Sequence, residues 1–215
     1  KFILGDIMSN LEVELKLQIV DESQWNEVVD YLKRMEEVVP GTIEKALLEA
    51  RYYDTEQGLL HKMGYAYRIR KEKNGLIATL KGRGKVEDGL HSRLEWNVPV
   101  ENILPDIMVF RNEPGFEQEL IDMITPFRLQ NIMDTMFTRE KMLMRIDNSL
   151  IEVAIDCGFV RANNHNAPIK EVELELREGS VEVIRDLGDM LLNMFPLKLS
   201  GKSKFARGME ISKNK

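Results

Sequence analysis

The first clear pattern in the chain is the run Leu11-Glu12-Val13-Glu14-Leu15-Lys16-Leu17, in which apolar and charged residues alternate without a break. A period of two is the signature of a strand with two unlike faces, and it puts Glu12, Glu14 and Lys16 together on one of them. The spacing then changes. Trp25, Val28, Val29, Leu32 and Met35 recur at helical intervals behind Asp21, a capping residue with Gln24 three positions on, and this helix is expected to end near Pro40-Gly41. Strand patterns return at residues 50–55, 64–71, 76–81 and 90–98, with Lys73-Asn74-Gly75 as the hairpin turn between the second and third of these. Residues 105–126 are less regular and hold a short helix at 116–124. Further strands are expected at 136–146, 150–156 and 169–176, the first two joined at Asp147-Asn148. Ser180 can cap a last helix whose Val183, Ile184, Leu187, Leu191 and Met194 form an apolar stripe, and residues 197–205 read as a final strand. Eight or nine strands with mostly short links predict an α+β domain built on an antiparallel sheet that closes on itself, because closure removes exposed edges.

The strand parity also sorts the charges. Glu152 and Asp156 share a face opposite Ile151, Val153 and Ile155, and Glu171, Glu173 and Glu175 lie opposite Val172, Leu174 and Leu176. With Glu12 and Glu14, three strands carry acidic rows. Other strands carry cations: Arg68 with Arg70, Lys81 alone, Arg93 beside Glu95, and Arg139 with Lys141. Any one such row is most simply the wet face of a half-buried sheet. Several rows, segregated by sign from strand to strand, are better explained if the charged faces point into a barrel, where a carboxylate cluster would meet a cationic one across a narrow lumen. On that view the empty lumen holds an excess of like charge that metal ions and an anionic ligand relieve. Hard carboxylate oxygens suit magnesium or manganese and planar guanidinium forks suit phosphate, so the expected guest is a small polyphosphate with its metals.

Composition narrows the setting. In 215 residues, 43% hydrophobic and 31% charged, there is material for one large folded domain, taken here as residues 8–215. Residues 1–7 are read as a leader or remnant outside it, because Met8-Ser9-Asn10 has the look of a natural start. The net charge of -6 gives no overall field for nucleic acid, so any polyanion must be held by a local group of Lys and Arg. Cys157 is the single cysteine, which excludes an intramolecular disulfide and a thiolate metal cage and favours the cytoplasm; its parity points it into the outer core. No apolar run approaches a membrane span, and the sequence leaves a homodimer open. His61, His91 and His165 are scattered and read as surface or hydrogen-bonding residues. Met123, Met133, Met136, Met142 and Met144 read as fillers of the outer core.

Taken together these motifs resemble the CYTH superfamily, the triphosphate tunnel metalloenzymes, whose opening strand has the form Glu-x-Glu-x-Lys, here Glu12-Val13-Glu14-Leu15-Lys16. Its companions follow in order: Tyr53-Asp54-Thr55, Tyr67-Arg68-Ile69-Arg70, Thr79-Leu80-Lys81, Glu152 with Asp156, and Glu171-Val172-Glu173-Leu174-Glu175. The segments 89–97, 139–141, 168–171 and 203–208 look most like the bacterial inorganic triphosphatases. The resemblance implies an eight-stranded antiparallel closed β-barrel with helices packed on the outside. It implies Glu12, Glu14, Asp156, Glu171 and Glu173 as ligands of Mg2+ or Mn2+, two ions per site. Lys16, Arg68, Arg70, Lys81, Arg93, Arg139 and Lys204 would grip phosphate oxygens. Glu152, Asp156 and Lys16 would form the catalytic set, the two acids placing a second ion or the attacking water. Glu175, Lys141 and Lys202 share the parity with weaker support from the motifs. The implied reaction is metal-dependent hydrolysis of the terminal phosphate of a triphosphate, with inorganic tripolyphosphate giving pyrophosphate and phosphate. A class IV adenylyl cyclase, a thiamine triphosphatase and a non-catalytic polyphosphate or nucleotide binding module are the alternatives.

Overall fold

The structure is a computed structural model and describes residues 10–213. The expectation for residues 1–7 lies outside the described residues. Nine strands run in chain order: β1 (Leu11–Ile19), β2 (Glu44–Thr55), β3 (Ala66–Glu72), β4 (Gly75–Glu87), β5 (Leu90–Val100), β6 (Leu129–Ile146), β7 (Ser149–Ala162), β8 (His165–Glu178) and β9 (Leu197–Leu199). They form one sheet in the order β5-β4-β3-β2-β6-β7-β8-β1-β9, and a further antiparallel pairing of β1 with β5 closes the first eight into a barrel. β1 serves both ends of the sheet because its edge is shared: Leu11 to Leu15 pair with β5, and Leu17 to Ile19 pair with β9.

Two-residue turns fix the register of the hairpins. Asp88-Gly89 and Asn163-Asn164 take positive φ at both positions, the geometry that matches the right-handed twist of the flanking strands. Asp147 does so between β6 and β7, as its sequence suggests.

Five helices accompany the barrel: α1 (Trp25–Arg34), α2 (Leu59–Lys62), α3 (Gln118–Ile124), α4 (Val181–Met194) and α5 (Lys204–Ile211). α1 and α4 lay Val28, Leu32, Ile184 and Leu191 over the outward residues of β1, β6, β7 and β8, among them Leu17, Met144, Val153 and Leu174. α3 and the 3-10 turn Ile107–Phe110 cover the outward face of β3, β4 and β5 around Tyr67, Leu80 and Trp96. A third apolar group lies on the inward face at one end, where Leu48, Tyr52, Met133, Phe137, Val160 and Ile169 receive Phe205, Met209 and Ile211 of α5. The last helix therefore closes that end of the lumen. Its fit is tight: a Cβ at Gly208 would come within 2.2 Å of Met133 Cε. No helix among the described residues is long and apolar enough to cross a membrane.

Three expectations need correction. Residues 197–205 are not one strand: pairing stops at Leu199, and Ser203 caps α5 by accepting from the Ala206 N–H. Cys157 has the outward parity expected of it but is exposed, because the helical cover does not reach that far along β7. Of the methionines, Met142 and Met144 fill the outer core, Met133 belongs to the inner apolar plug, and Met123 and Met136 are exposed.

The two faces of β1 give a direct test of the fold. Leu17 is fully buried on the outer side beneath the helices. Leu17→Asp would leave a carboxylate there with no partner, at a cost of about 3–5 kcal/mol. The urea midpoint should collapse or the chain should fail to fold; an unchanged midpoint would mean that the strand faces are assigned the wrong way round.

Candidate functional site

All thirteen residues singled out from the sequence carry inward parity or lie on α5, and the barrel brings them into one lumen. Its cavity of about 1110 Å³ is lined by Glu12, Lys16, Arg68, Arg70, Lys81, Arg93, Arg139, Glu152, Glu173 and Lys204, with Glu95, Glu175, Lys141, Arg177 and Tyr52 beside them. Glu14, Asp156 and Glu171 sit just behind this lining, bonded to Arg93, Arg139 and Lys204 respectively, which line the cavity.

Strand order explains the charge map. β7, β8 and β1 are adjacent and make a continuous acidic wall, flanked by Arg139 of β6 on one side and Arg93 of β5 on the other. Cross-strand register then sets opposite charges side by side: Glu12 opposite Arg93, Lys16 opposite Glu173, Lys81 opposite Glu95, and Arg139 opposite Asp156. The contacts follow from that register. Arg139 makes a two-pronged pair with Asp156, Nε to Oδ1 at 2.8 Å and a terminal nitrogen to Oδ2 at 2.7 Å, and reaches Glu173 at 2.5 Å. Arg93 bridges Glu12 at 2.9 Å and Glu14 at 2.7 Å. Lys81 joins Glu12 at 2.8 Å and Glu95 at 2.5 Å. Lys16 joins Glu14 at 2.9 Å and also Glu173. The lumen is thus neutralised along its own wall, and the expected excess of like charge is not found.

The electrostatics agree. Burial alone would raise the Glu173 carboxyl, yet Lys16, Lys204 and Arg139 hold it well below the usual carboxylate range. Glu12 is likewise held well below that range, with Lys81 and Arg93 overcoming its burial. Asp156 is lowered by Arg139 and Lys204 against the same penalty, and Arg139 in turn is held charged well above its ordinary value despite being buried.

Two places differ from this balance. Arg68 is buried against the lumen, pairs with no carboxylate among the described residues, and its Nε has no hydrogen-bond partner. Its guanidinium holds the buried Tyr52 hydroxyl below its ordinary value although burial pushes the other way. At the open rim, Arg177 holds Glu152 at 3.0 Å and Glu175 at 2.8 Å. Glu175 is pushed up to about 7 by burial, with Glu12 and Glu152 adding to the effect and Arg177 opposing it.

Asp156, Glu171 and Glu173 are brought together: one carboxylate oxygen from each lies within 4.8 Å of the others, and all three are buried. This is a hard-oxygen donor set of the kind that takes magnesium or manganese. Glu12 and Glu14 lie apart from it in contact with Arg93, and Glu152 lies at the rim rather than with Asp156. Arg70 turns to Glu72, and Lys202 is outside, paired with Glu210 at 2.6 Å. Lys141 sits at the rim, 3.7 Å from both Glu44 and Glu152. Asp54, from the Tyr53-Asp54-Thr55 motif, has a structural part: its carboxylate accepts from the N–H groups of Leu60 at 2.9 Å and His61 at 3.0 Å and anchors α2. Sequence reasoning passed over Glu95, Arg177 and Arg207 as site residues. The first two carry the same parity signal as their neighbours Arg93 and Glu175. Arg207, which pairs with Glu171, could not be found by strand parity because it lies on a helix.

The fold and site define a closed antiparallel tunnel barrel with a charge-paired lumen sealed at one end. The CYTH domain family profile matches residues 10–209, and the chain belongs to that family. The inorganic triphosphatase of Haemophilus influenzae is 36% identical over 201 residues, which is 92% of this chain and 54% of that protein, so the chain spans about half the length of this relative. Among solved structures, a Hippeastrum protein named as a candidate adenylyl cyclase and described with a dominant triphosphatase activity superposes with a TM-score of 0.66 at 20% identity, over 93% of this chain and 95% of that one. A Pyrococcus horikoshii protein superposes with a TM-score of 0.57 at 18% identity, over 92% and 99% of the two chains. At these identities the likeness shows the fold.

Glu175 offers a pH test of the rim. Its folded value of about 7 lies above the ordinary carboxyl value of about 4.3, so the folded state favours the protonated form. The contribution is fully present below the ordinary value and is lost as pH rises through the folded one. Glu175→Gln cannot ionise and should gain about 5–10 °C in Tm relative to wild type on going from pH 5 to pH 8. A Tm difference that stays flat across that range would mean that Glu175 ionises freely.

Proposed function

We propose that this chain hydrolyses the terminal phosphoanhydride of a small triphosphate with a divalent metal ion, and that inorganic tripolyphosphate is the preferred substrate. The observation that carries this is the convergence, in one lumen closed at its far end, of several cations with a buried three-carboxylate donor set. The 36% identity to a protein named as an inorganic triphosphatase, extending over 92% of this chain, supports the same conclusion.

Arg68, lacking a carboxylate partner among the described residues, is ready to take the first phosphate oxygens. Lys16, Lys81, Arg93, Arg139 and Lys204 then exchange carboxylate for phosphate partners, which neutralises the charge on the reacting phosphate and on the leaving pyrophosphate. Arg70 can leave Glu72 to join them. Asp156, Glu171 and Glu173 would hold one Mg2+ or Mn2+, and Glu12 and Glu14, freed from Arg93, would help hold a second. When bound, the metal supplies charge neutralisation and lowers the pKa of the attacking water. Glu152, released by Arg177, orients that water from the rim, so no nucleophilic side chain is needed. A single exposed cysteine is in keeping with a cytoplasmic site of action.

A nucleoside triphosphate is the second substrate considered, because the cavity exceeds the needs of tripolyphosphate and its wall includes the apolar residues Leu11, Ile43, Ile77 and Leu176. A substrate panel with phosphate detection, run separately with Mg2+ and Mn2+, separates the two. Tripolyphosphate should give the higher kcat/KM and yield pyrophosphate and phosphate, chelator-treated protein should be inactive, and Arg139→Ala should lose about 100-fold or more. Full activity after chelation would overturn metal dependence. A higher kcat/KM for ATP, or release of cyclic AMP from it, would move the chain to the second substrate or to cyclase chemistry.

A further inference from the structure

Lys204 is the first residue of α5, and its side chain is buried at the closed end of the lumen. Its ammonium lies 2.6 Å from Asp156 Oδ2, 2.5 Å from Glu171 Oε1 and 2.9 Å from Glu173 Oε1. These are the same three side chains that form the hard-oxygen donor set. An ammonium has three N–H donors and no acceptor; here it donates to Glu171 and Glu173 and lies in ion-pair contact with Asp156. The face of Phe137, with its ring centre 4.9 Å from the ammonium, adds a further surface that favours a cation. Arg139, Arg207 and Lys16 complete the charge balance from outside the trio. A lysine therefore sits in the middle of the carboxylates in the manner of a bound ion.

A divalent ion coordinated by these oxygens at about 2.0–2.6 Å would be pressed against the ammonium nitrogen. The two cations cannot share the position, since like charges in so confined a space repel strongly. We propose that Lys204 is a tethered cation that occupies the metal position of the Asp156–Glu171–Glu173 cage in the resting protein, so that a divalent ion enters only as Lys204 leaves. This rests on the proposal that the trio is a metal site. Lys204 also borders the cavity, which gives the ammonium somewhere to go and a phosphate to meet there. Metal loading and substrate binding are then linked through one side chain. The triphosphate draws Lys204 out, the ion takes its place, and the resting enzyme holds metal weakly.

The test is Mn2+ binding to the chelator-stripped full chain without any phosphate, read by the electron paramagnetic resonance signal of free Mn2+. Lys204→Met keeps the length of the side chain and its packing on Phe137 while removing the charge. It should bind Mn2+ at least tenfold more tightly than wild type, and Glu171→Gln in the same background should abolish the gain. Equal or weaker binding by Lys204→Met, with wild type binding Mn2+ well, would overturn the tethered-cation role and leave the metal site standing. Absence of Mn2+ binding in both proteins would overturn both. Should Lys204→Met fail to fold, acetylation of Lys204 in the wild-type chain, followed by mass spectrometry, decides the matter. Labelling should rise at least severalfold when Mn2+ is added, and unchanged labelling would overturn the proposal.

Discussion

A carboxylate inside a β-barrel has to be neutralised within a few ångströms, and the rest of this chain is arranged around that requirement. Asp156 and Glu171 are fully buried, with Glu14 and Glu173 nearly so. The barrel supplies their partners sideways. Antiparallel register sets Arg139 beside Asp156, Lys16 beside Glu173 and Arg93 beside Glu12, so these three ion pairs are a property of strand pairing rather than of side chains reaching across the lumen. A one-residue slip in any of these strands would turn its charges into the outer apolar layer, so the helices that cover the outer face also protect the register.

That arrangement bears on chemistry. A lumen neutralised by its own side chains is stable without ligand, and its cations are already pointed at the space a polyanion would fill. On the proposed function, partner exchange would need little movement of the backbone: guanidinium and ammonium groups would turn from carboxylate to phosphate, and the released carboxylates would become available to metal. Arg68 would stand outside that exchange, since it has no carboxylate partner among the described residues to give up. The helix α5 ties the closed end into the same system, because Lys204 and Arg207 come from it and both contact the acidic wall.

Much of this was legible in the sequence, for a physical reason. Where the lumen is charged and the outside apolar, alternation is strong, and the rows of β1, β7 and β8 could be read residue by residue. Where α5 fills the lumen, the inward residues are apolar too. Met133, Phe137, Val160 and Ile169 gave no contrast with the outer face, and β6, β7 and β8 run well beyond the limits that alternation suggested. The same plug explains why the expected strand at 197–205 fails beyond Leu199: the pattern from Ser203 on answers to the inner surface of the barrel and not to a neighbouring strand. Charge pairing was hidden for a different reason. Parity tells which way a side chain points, but register tells what lies beside it, and register depends on turns such as Asn163-Asn164 whose pairing the sequence alone did not reveal.

The central claim, that lumen charges are neutralised laterally by strand register, is tested most directly by a double-mutant cycle between Arg139 and Asp156. Stability to urea would be measured for wild type, Arg139→Gln, Asp156→Asn and the double variant. A buried two-pronged pair at 2.7 and 2.8 Å predicts a coupling of about 2–3 kcal/mol, with the double variant more stable than the sum of the single losses implies. Losses that add to within about 0.5 kcal/mol would contradict the account, because the two charges would then not be holding each other in place.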